Sequence, residues 1–336
     1  MANRRATMQD VARLSGVSTA TVSRVINQNG RFSPETEQRV RQVIRQLGFV
    51  PNQAAKDLRT QRSRLVGILV SRLSYEYVNS LVTKLEERLF EQGFIGIVCN
   101  ISENYENEQT YLDAMFSMNI CALIVFSSGR PIARPEGRSI PVIYINRMPE
   151  DLNDRLCCAI ETDSVSAGYK ACAALIEAGC RLVAIVRTLY GPDRRPRDRE
   201  IGFMKALLES GCAYDERLSV AVPVAGDYAS AFASVNDRLE QGQVADGYFC
   251  ESDVYALSTI RSLEVHGIRV PEDVKVVGCN DMSVAMYNNR AITTIRHQTE
   301  AICLKAIENM KRMLNGDELE QRHTMFDVEL VRRQTL

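Results

Sequence analysis

The stretch GVSTATVSRVIN, residues 16–27, is too polar along one side for a core helix and too apolar along the other for a loop. With Ser18 as N-cap and Thr19 as the first helical residue, about 100° per position gathers Val22, Val25 and Ile26 on one arc. Thr19, Ala20, Ser23, Arg24 and Asn27 fill the neighbouring arc. Four of those five side chains donate hydrogen bonds, none is acidic, and all but Arg24 are short. Such a face suits a flat, negatively charged partner.

The flanking residues complete a small helical unit. Thr7 caps a preceding helix with Asp10 at the capping-box position, and Val11 and Leu14 are expected to point inward. SGVS makes a turn, and Val17 and Val22 stand at hydrophobic-staple spacing around Ser18. RFSPETEQRVRQVIRQLG begins a third helix with Ser33 as cap and Pro34 at its first position, and Gly48 ends it. Val40, Val43, Ile44 and Leu47 form its apolar stripe. Two short helices joined by a tight turn, the second polar and exposed, describe a helix-turn-helix. Helical pairs of this size also dock proteins, so charge has to decide. Residues 1–64 hold 12 Lys+Arg against 4 Asp+Glu, a balance of +8, while the rest of the chain carries −9. The basic head and the acid-free face of its second helix point to DNA.

TMQDVARLSGVSTATVSRVINQNGRFSPETEQRVRQVIRQLGFVPNQAAKDLRTQRS resembles the head of the lactose-repressor (LacI) family of bacterial transcription regulators. The resemblance implies that the second helix enters the major groove. Thr19 and Ala20 then stand at base-reading positions, and Arg24 where a base-contacting side chain is usual. Alanine offers apolar contact to a thymine methyl, and arginine can fork onto guanine. Thr7, Ser18, Thr21, Ser23 and Asn27 would hold phosphates and set the register. For each serine or threonine, simple capping is the competing reading. The resemblance also makes PNQAAKDLRTQRS, 51–63, a hinge segment that folds on operator DNA. Asn52 would start it, Ala55 would share a face with Leu58, and Leu58 would wedge into the minor groove and bend the duplex. Without the resemblance, this segment is a basic linker too short to hold a helix alone.

A chain of 336 residues with 45% hydrophobic and 25% charged side chains has room for two or more soluble domains. Beyond residue 64, β-rich runs alternate with amphipathic helical segments. LVGILV, GIVCNI, ALIVFS, PVIYIN and CAIETD form one series; LVAIV, LSVAVPV, DGYFCE and VKVVGCND form a second. Such alternation predicts two doubly wound parallel α/β lobes, with any ligand at the carboxyl ends of the strands between them. The phrases RDREIGFMKALLESG, VPEDVKVVGCNDM and ITTIRHQTEAI resemble the effector domain of the same family, which shares its fold with periplasmic sugar-binding proteins. The resemblance implies a head over 1–50, a hinge over 51–63 and a body over 64–336. The chain would cross between lobes near 163, 293 and 322, giving an N-lobe of about 64–163 and 294–322 and a C-lobe of about 164–293 and 323–336. It carries over Ser71, Arg72, Tyr75, Phe126, Asn146, Arg195, Arg199, Tyr228, Ser252, Asp253, Asn280 and His297 as effector contacts. Tyr228 would be the plate beneath a sugar ring and Arg199 the main donor to ligand oxygens. The chain departs from the family with YEYV where members often read NPFF, and with Asn280 and Asp281 in place of an aspartate pair.

Arg72, Arg147, Arg187, Arg195 and Arg199 all fall at expected strand ends or in the loops after them. Their convergence would suit an acidic or phosphorylated sugar, because guanidinium forks match carboxylates and phosphates. The competing reading has them solvent-facing or paired with Glu76, Glu251 and Asp253, with a neutral sugar as ligand. No P-loop, GxGxxG or GxSxG occurs, so an enzyme is not expected. A sugar-processing enzyme bearing a DNA head, or a non-DNA sensor or scaffold, is the alternative. Ten scattered cysteines read as buried reduced thiols, and neither metal nor cofactor is expected. MANRRATMQD lacks the apolar stretch of a signal peptide, and the longest apolar runs are far shorter than a membrane span, so a cytoplasmic location is expected. The expected partners are pseudo-palindromic double-stranded operator DNA, a sugar or sugar-derived anion, and a second copy of the chain. VELVRRQTL carries no leucine heptad, so a homodimer and not a tetramer is expected.

Overall fold

The computed structural model describes residues 6–49, 63–102, 104, 106–126, 131–149, 151–189 and 198–336. Its contacts divide the chain into Met1–Ser63 and Arg64–Leu336. In the first unit, α1 (Met8–Ser15), α2 (Thr19–Asn27) and α3 (Pro34–Leu47) close around Val11, Ala12, Val22, Val25, Val40 and Val43. Each start is written in the sequence. Thr7 and Asp10 form the reciprocal capping box, and Ser18 and Ser33 accept from the Thr21 and Thr36 amides. Leu14 differs from expectation. It is 53% exposed, and Ala12 and Ser15 take the inner face instead. A small residue there lets α1 lie close, and the Ser15 hydroxyl is satisfied by the Val11 carbonyl at 2.6 Å.

The second unit holds two six-stranded sheets. The first contains β1 (Leu65–Val70), β2 (Ile95–Asn100), β3 (Ala122–Val125), β4 (Val142–Ile145), β5 (Cys157–Thr162) and β11 (His323–Phe326), in the order β11-β5-β4-β3-β1-β2. All its pairs are parallel. Helices α4 (Glu76–Glu91), α5 (Glu106–Ser117) and α11 (Thr299–Asn315) cover it. The second contains β6 (Val183–Thr188), β7 (Val220–Val222), β8 (Gly247–Cys250), β9 (Lys275–Cys279), β10 (Thr293–Arg296) and β12 (Glu329–Val331), in the order β12-β10-β9-β8-β6-β7. Only the β10–β12 pair is antiparallel. Around it lie α6 (Ser164–Glu177), α7 (Asp198–Glu209), α8 (Tyr228–Glu240), α9 (Asp253–Val265) and α10 (Ser283–Tyr287). Strands buried on both faces carry continuous apolar runs, which is why LVGILV and ALIV do not alternate.

Three connections join the sheets. The first falls at Asp163, between β5 and α6. The other two lie a few residues beyond expectation. β10 pairs with β9 through Thr293↔Val277, so the second crossing is at 297–298. β11 pairs with β5 through His323↔Ala159, so the third is at 327–328. The N-lobe therefore keeps 323–326 and the C-lobe keeps 293–296. All ten cysteines are free thiols, seven of them buried. Among the described residues no helix is long and apolar enough to cross a membrane.

Candidate DNA-reading helix and effector cleft

On α2 the buried stripe is Val22 and Val25, and Thr19, Ala20 and Arg24 are exposed on the other side. Ala20 and Arg24 are one turn apart. The stem of Arg24 lies on Gly30, whose φ is +90° and where a β-carbon would sit 3.2 Å from Arg24 Cδ. The short polar residues are already engaged. Thr7 Oγ1 donates to Asp10 Oδ2 at 2.7 Å, Ser18 Oγ accepts the Thr21 amide at 3.1 Å, and Asn27 Nδ2 donates to the Ser23 carbonyl at 2.7 Å. These bonds fix the helix ends and leave Thr19, Ala20 and Arg24 as the outward set. Asn52, Ala55 and Leu58 lie outside the described residues.

In the body, strand ends from both sheets meet around a chain of polar side chains. Asn146 follows β4 with φ 51°, and Asn280 follows β9 with φ 104°, left-handed geometry that asparagine tolerates better than most residues. Asn146 Nδ2 donates to Tyr77 Oη at 3.0 Å, and its Oδ1 accepts the Thr162 amide at 2.9 Å. Arg199, in the first turn of α7, donates from Nη1 to the Glu251 carbonyl at 2.7 Å and from Nη2 to Asn280 Oδ1 at 3.5 Å. His297 Nε2 lies 2.9 Å from the same Asn280 oxygen, and its ring centre is 4.8 Å from that of Tyr77.

His297 is 4% exposed, and burial, with Arg199 second, pushes its pKa down to about 3. The ring is therefore neutral. Because Nε2 faces an acceptor, Nε2 carries the proton and Nδ1 is left as a buried acceptor with no hydrogen-bond partner. A ligand hydroxyl would satisfy it. Beside this cluster a cavity of about 200 Å³ is lined by Tyr77, Asn280 and His297 together with Ser80, Lys84 and Thr299, among others. Tyr77 was not anticipated from the sequence. Its signal was the second tyrosine of YEYV, in the first turn of α4.

Arg199 owes its place to two glycines. A β-carbon on Gly168 would sit 1.8 Å from the Arg199 carbonyl oxygen, and one on Gly202 would sit 1.9 Å from that of Val165. The α6 and α7 backbones thus touch, and Arg199 is fixed at the contact.

Other anticipated residues do different work. Phe126, 4% exposed, packs in the N-lobe core with Val70, Ile124 and Ile145. Ser252 caps α9 by accepting the Tyr255 amide at 3.2 Å. Asp253 is fully buried, and its two oxygens accept Thr294 Oγ1 at 2.5 Å and the Met282 amide at 2.7 Å, so it braces the C-lobe. Burial raises its pKa to about 7. Ser71 is buried at the end of β1. Tyr228 is 40% exposed, stacks on Phe232 and lines a separate hollow with Leu257, Arg261 and Asn288. The described arginines each have a protein partner. Arg72 and Tyr75 contact the loop after β7, Arg147 is exposed and donates to the Asn146 carbonyl at 2.8 Å, and Arg187 is buried beside Glu200 at 3.3 Å. Arg195 lies outside the described residues.

A three-helix head with an exposed, acid-free second helix, joined to a two-lobed body with polar strand ends facing a cleft, defines a DNA-binding regulator with a ligand-sensing body. Residues 7–52 match the bacterial regulatory proteins of the lacI family, and residues 172–336 match a periplasmic binding protein-like domain. The HTH-type transcriptional regulator CelR of Thermobifida fusca is 30% identical to this chain, over 99% of it and 98% of CelR. The HTH-type transcriptional repressor PurR of Erwinia tasmaniensis is also 30% identical, over 88% and 87%. Among solved structures, a CelR–cellobiose complex matches with a TM-score of 0.68 at 26% identity, covering 99% of this chain and 100% of that one. The lac repressor dimer bound to operator and the anti-inducer ONPF shares the fold, with a TM-score of 0.81 at 22% identity over 99% of each chain. The chain belongs to the lacI family of bacterial regulatory proteins, and is a transcriptional regulator and not an enzyme.

Proposed function

We propose that this regulator is a cytoplasmic homodimeric repressor of carbohydrate-use genes, released from or held on a pseudo-palindromic operator by a sugar bound between its lobes. Thr19, Ala20 and Arg24 read base edges, and Leu58, with Asn52 and Ala55, supplies the minor-groove wedge. Two heads on a two-fold axis match a palindrome. The observation that carries the effector reading is the polar chain Asn146–Tyr77–His297–Asn280–Arg199, drawn from both lobes, with an unsatisfied acceptor at His297 Nδ1. Apart from Arg199 its members are uncharged, which favours a neutral, hydroxyl-rich ligand. The similar structure of a CelR–cellobiose complex supports a sugar. An acidic sugar is the second reading, favoured by Arg187, whose buried Nη1 makes no hydrogen bond while its Nε is ion-paired with Glu200.

A thermal-shift screen of neutral sugars, sugar acids and sugar phosphates on the full chain tests this. The effector at 100 times its Kd adds roughly 2.7 kcal/mol of stability, and it changes operator affinity in a gel shift. Affinity insensitive to salt assigns a neutral ligand. Stabilisation by nucleobases or amino acids and by no carbohydrate overturns the proposal.

A further inference from the structure

The lobes are hinged along one side, and side chains from the segment after β1 fasten them from the far edge back toward the second crossing. The three crossings run beside β5, β11, β10 and β12, at one edge of each sheet. β7 is the opposite edge of the C-lobe sheet, and the loop after it carries Ala225 and Gly226. The segment after β1 reaches across to that loop. Arg72 Nη1 donates to the Ala225 carbonyl at 3.2 Å, and its guanidinium lies 5.0 Å from the centre of the Tyr75 ring. The ring covers Gly226 so closely that a β-carbon there would be 2.3 Å from Tyr75 Cε1. Gly226 also has φ +69°, so both conformation and space exclude a side chain. Next along, Glu76 Oε1 accepts the Ser283 amide at 2.7 Å, a charge-assisted bond onto the first residue of α10. All three side chains hold C-lobe backbone, so the fastening depends on lobe position and not on C-lobe side-chain rotamers.

We propose that Arg72, Tyr75 and Glu76 form a clasp that keeps the two lobes closed in the ligand-free protein. On the reading of the cleft as the effector site, entry and release then proceed through its opening. Contacts far from a hinge separate most for a given rotation, so those of Arg72 and Tyr75 at the β7 edge break first as the lobes part, whereas Glu76, which shares a cavity with Arg296, His297 and Thr299, holds the lobes nearer the second crossing. Their strength sets the ratio of closed to open bodies on which any ligand acts.

The test is hydrogen exchange by mass spectrometry on the full chain without DNA or sugar, comparing wild type with the Arg72→Ala/Glu76→Ala double variant and with Gly226→Ala. The clasp predicts at least tenfold faster exchange over 224–227 and 283–285 in the double variant, with an increased radius of gyration in small-angle scattering. The melting temperature should stay near that of wild type, since the lobe cores are untouched. Gly226→Ala should act alike by displacing Tyr75; if it fails to fold, the double variant decides. Wild-type exchange and an unchanged radius in a folded double variant overturn the clasp. No effector enters these measurements, so a sugar screen without a hit does not bear on the clasp.

Discussion

Arg24 is the residue on which specific DNA reading should turn. Its neighbours on α2 spend their hydrogen bonds on caps and on Asn27, whereas its guanidinium is exposed and its stem is steadied on Gly30. A forked contact to one guanine gives Arg24→Ala a loss of about 1–3 kcal/mol on operator DNA and a relaxed preference at one base pair per half-site. Random-sequence DNA should lose far less. Binding titrations on both DNAs check this, and equal losses would reduce Arg24 to a phosphate contact. This face was legible in the sequence because helix period and N-caps are local: Ser18, Thr19 and Val22 suffice to orient it. Leu14 was not, since three apolar and small residues compete for one narrow face of α1 and only packing against α3 chooses Ala12.

At the scale of elements, the α6–α7 contact positions Arg199 in the proposed effector cleft. Gly168→Ala places a methyl on the Arg199 carbonyl, so the helices must separate and the guanidinium leaves Asn280 and the Glu251 carbonyl. We expect folding with a loss of several degrees in melting temperature, operator binding within a fewfold of wild type, and effector response reduced at least tenfold. Operator titrations with and without effector check it; an unchanged response would show that Arg199 needs no such support. The glycine within SVSAGYK gave no warning, because close backbone approach is a property of two helices and not of one. The same holds for β10, β11 and β12. TTIR, HTMF and ELV hold no apolar run longer than two residues, and the pairing of these strands moved two crossings from 293 and 322 to 297–298 and 327–328. The other nine strands were legible from their apolar runs, although β3, β4, β7 and β8 also hold only three or four residues. Cleft residues were legible as strand ends, but whether each side chain faces the cleft, as Asn146 and Asn280 do, or the interior, as Phe126 and Asp253 do, depends on local φ and on partners distant in sequence.

For the whole molecule, two buried groups near the cleft set opposing pH dependences. Asp253 has its carboxyl raised to about 7 from 3.8, chiefly by burial and also by Asp281, against the Met282 amide, Thr294 and Arg333. The folded state therefore holds a proton that the unfolded chain releases, and this contribution to stability is lost as pH rises from about 4 to about 7. His297 is lowered to about 3 from 6.5 by burial and Arg199, so its contribution is present above 6.5 and is lost as pH falls. Between about pH 4.5 and 6.5 the two slopes oppose, each up to about 1.4 kcal/mol per pH unit, and wild type should vary little from this source. The single variants separate them. His297→Gln leaves Asp253 uncompensated, so stability falls as pH rises across that window. Asp253→Asn leaves His297, so stability rises with pH. Urea unfolding of the full chain at pH 4.5, 5.5 and 6.5 reads the difference in slope between the variants, which cancels the background of surface carboxylates they share. Variants with parallel slopes would mean that neither group changes protonation on unfolding in this range.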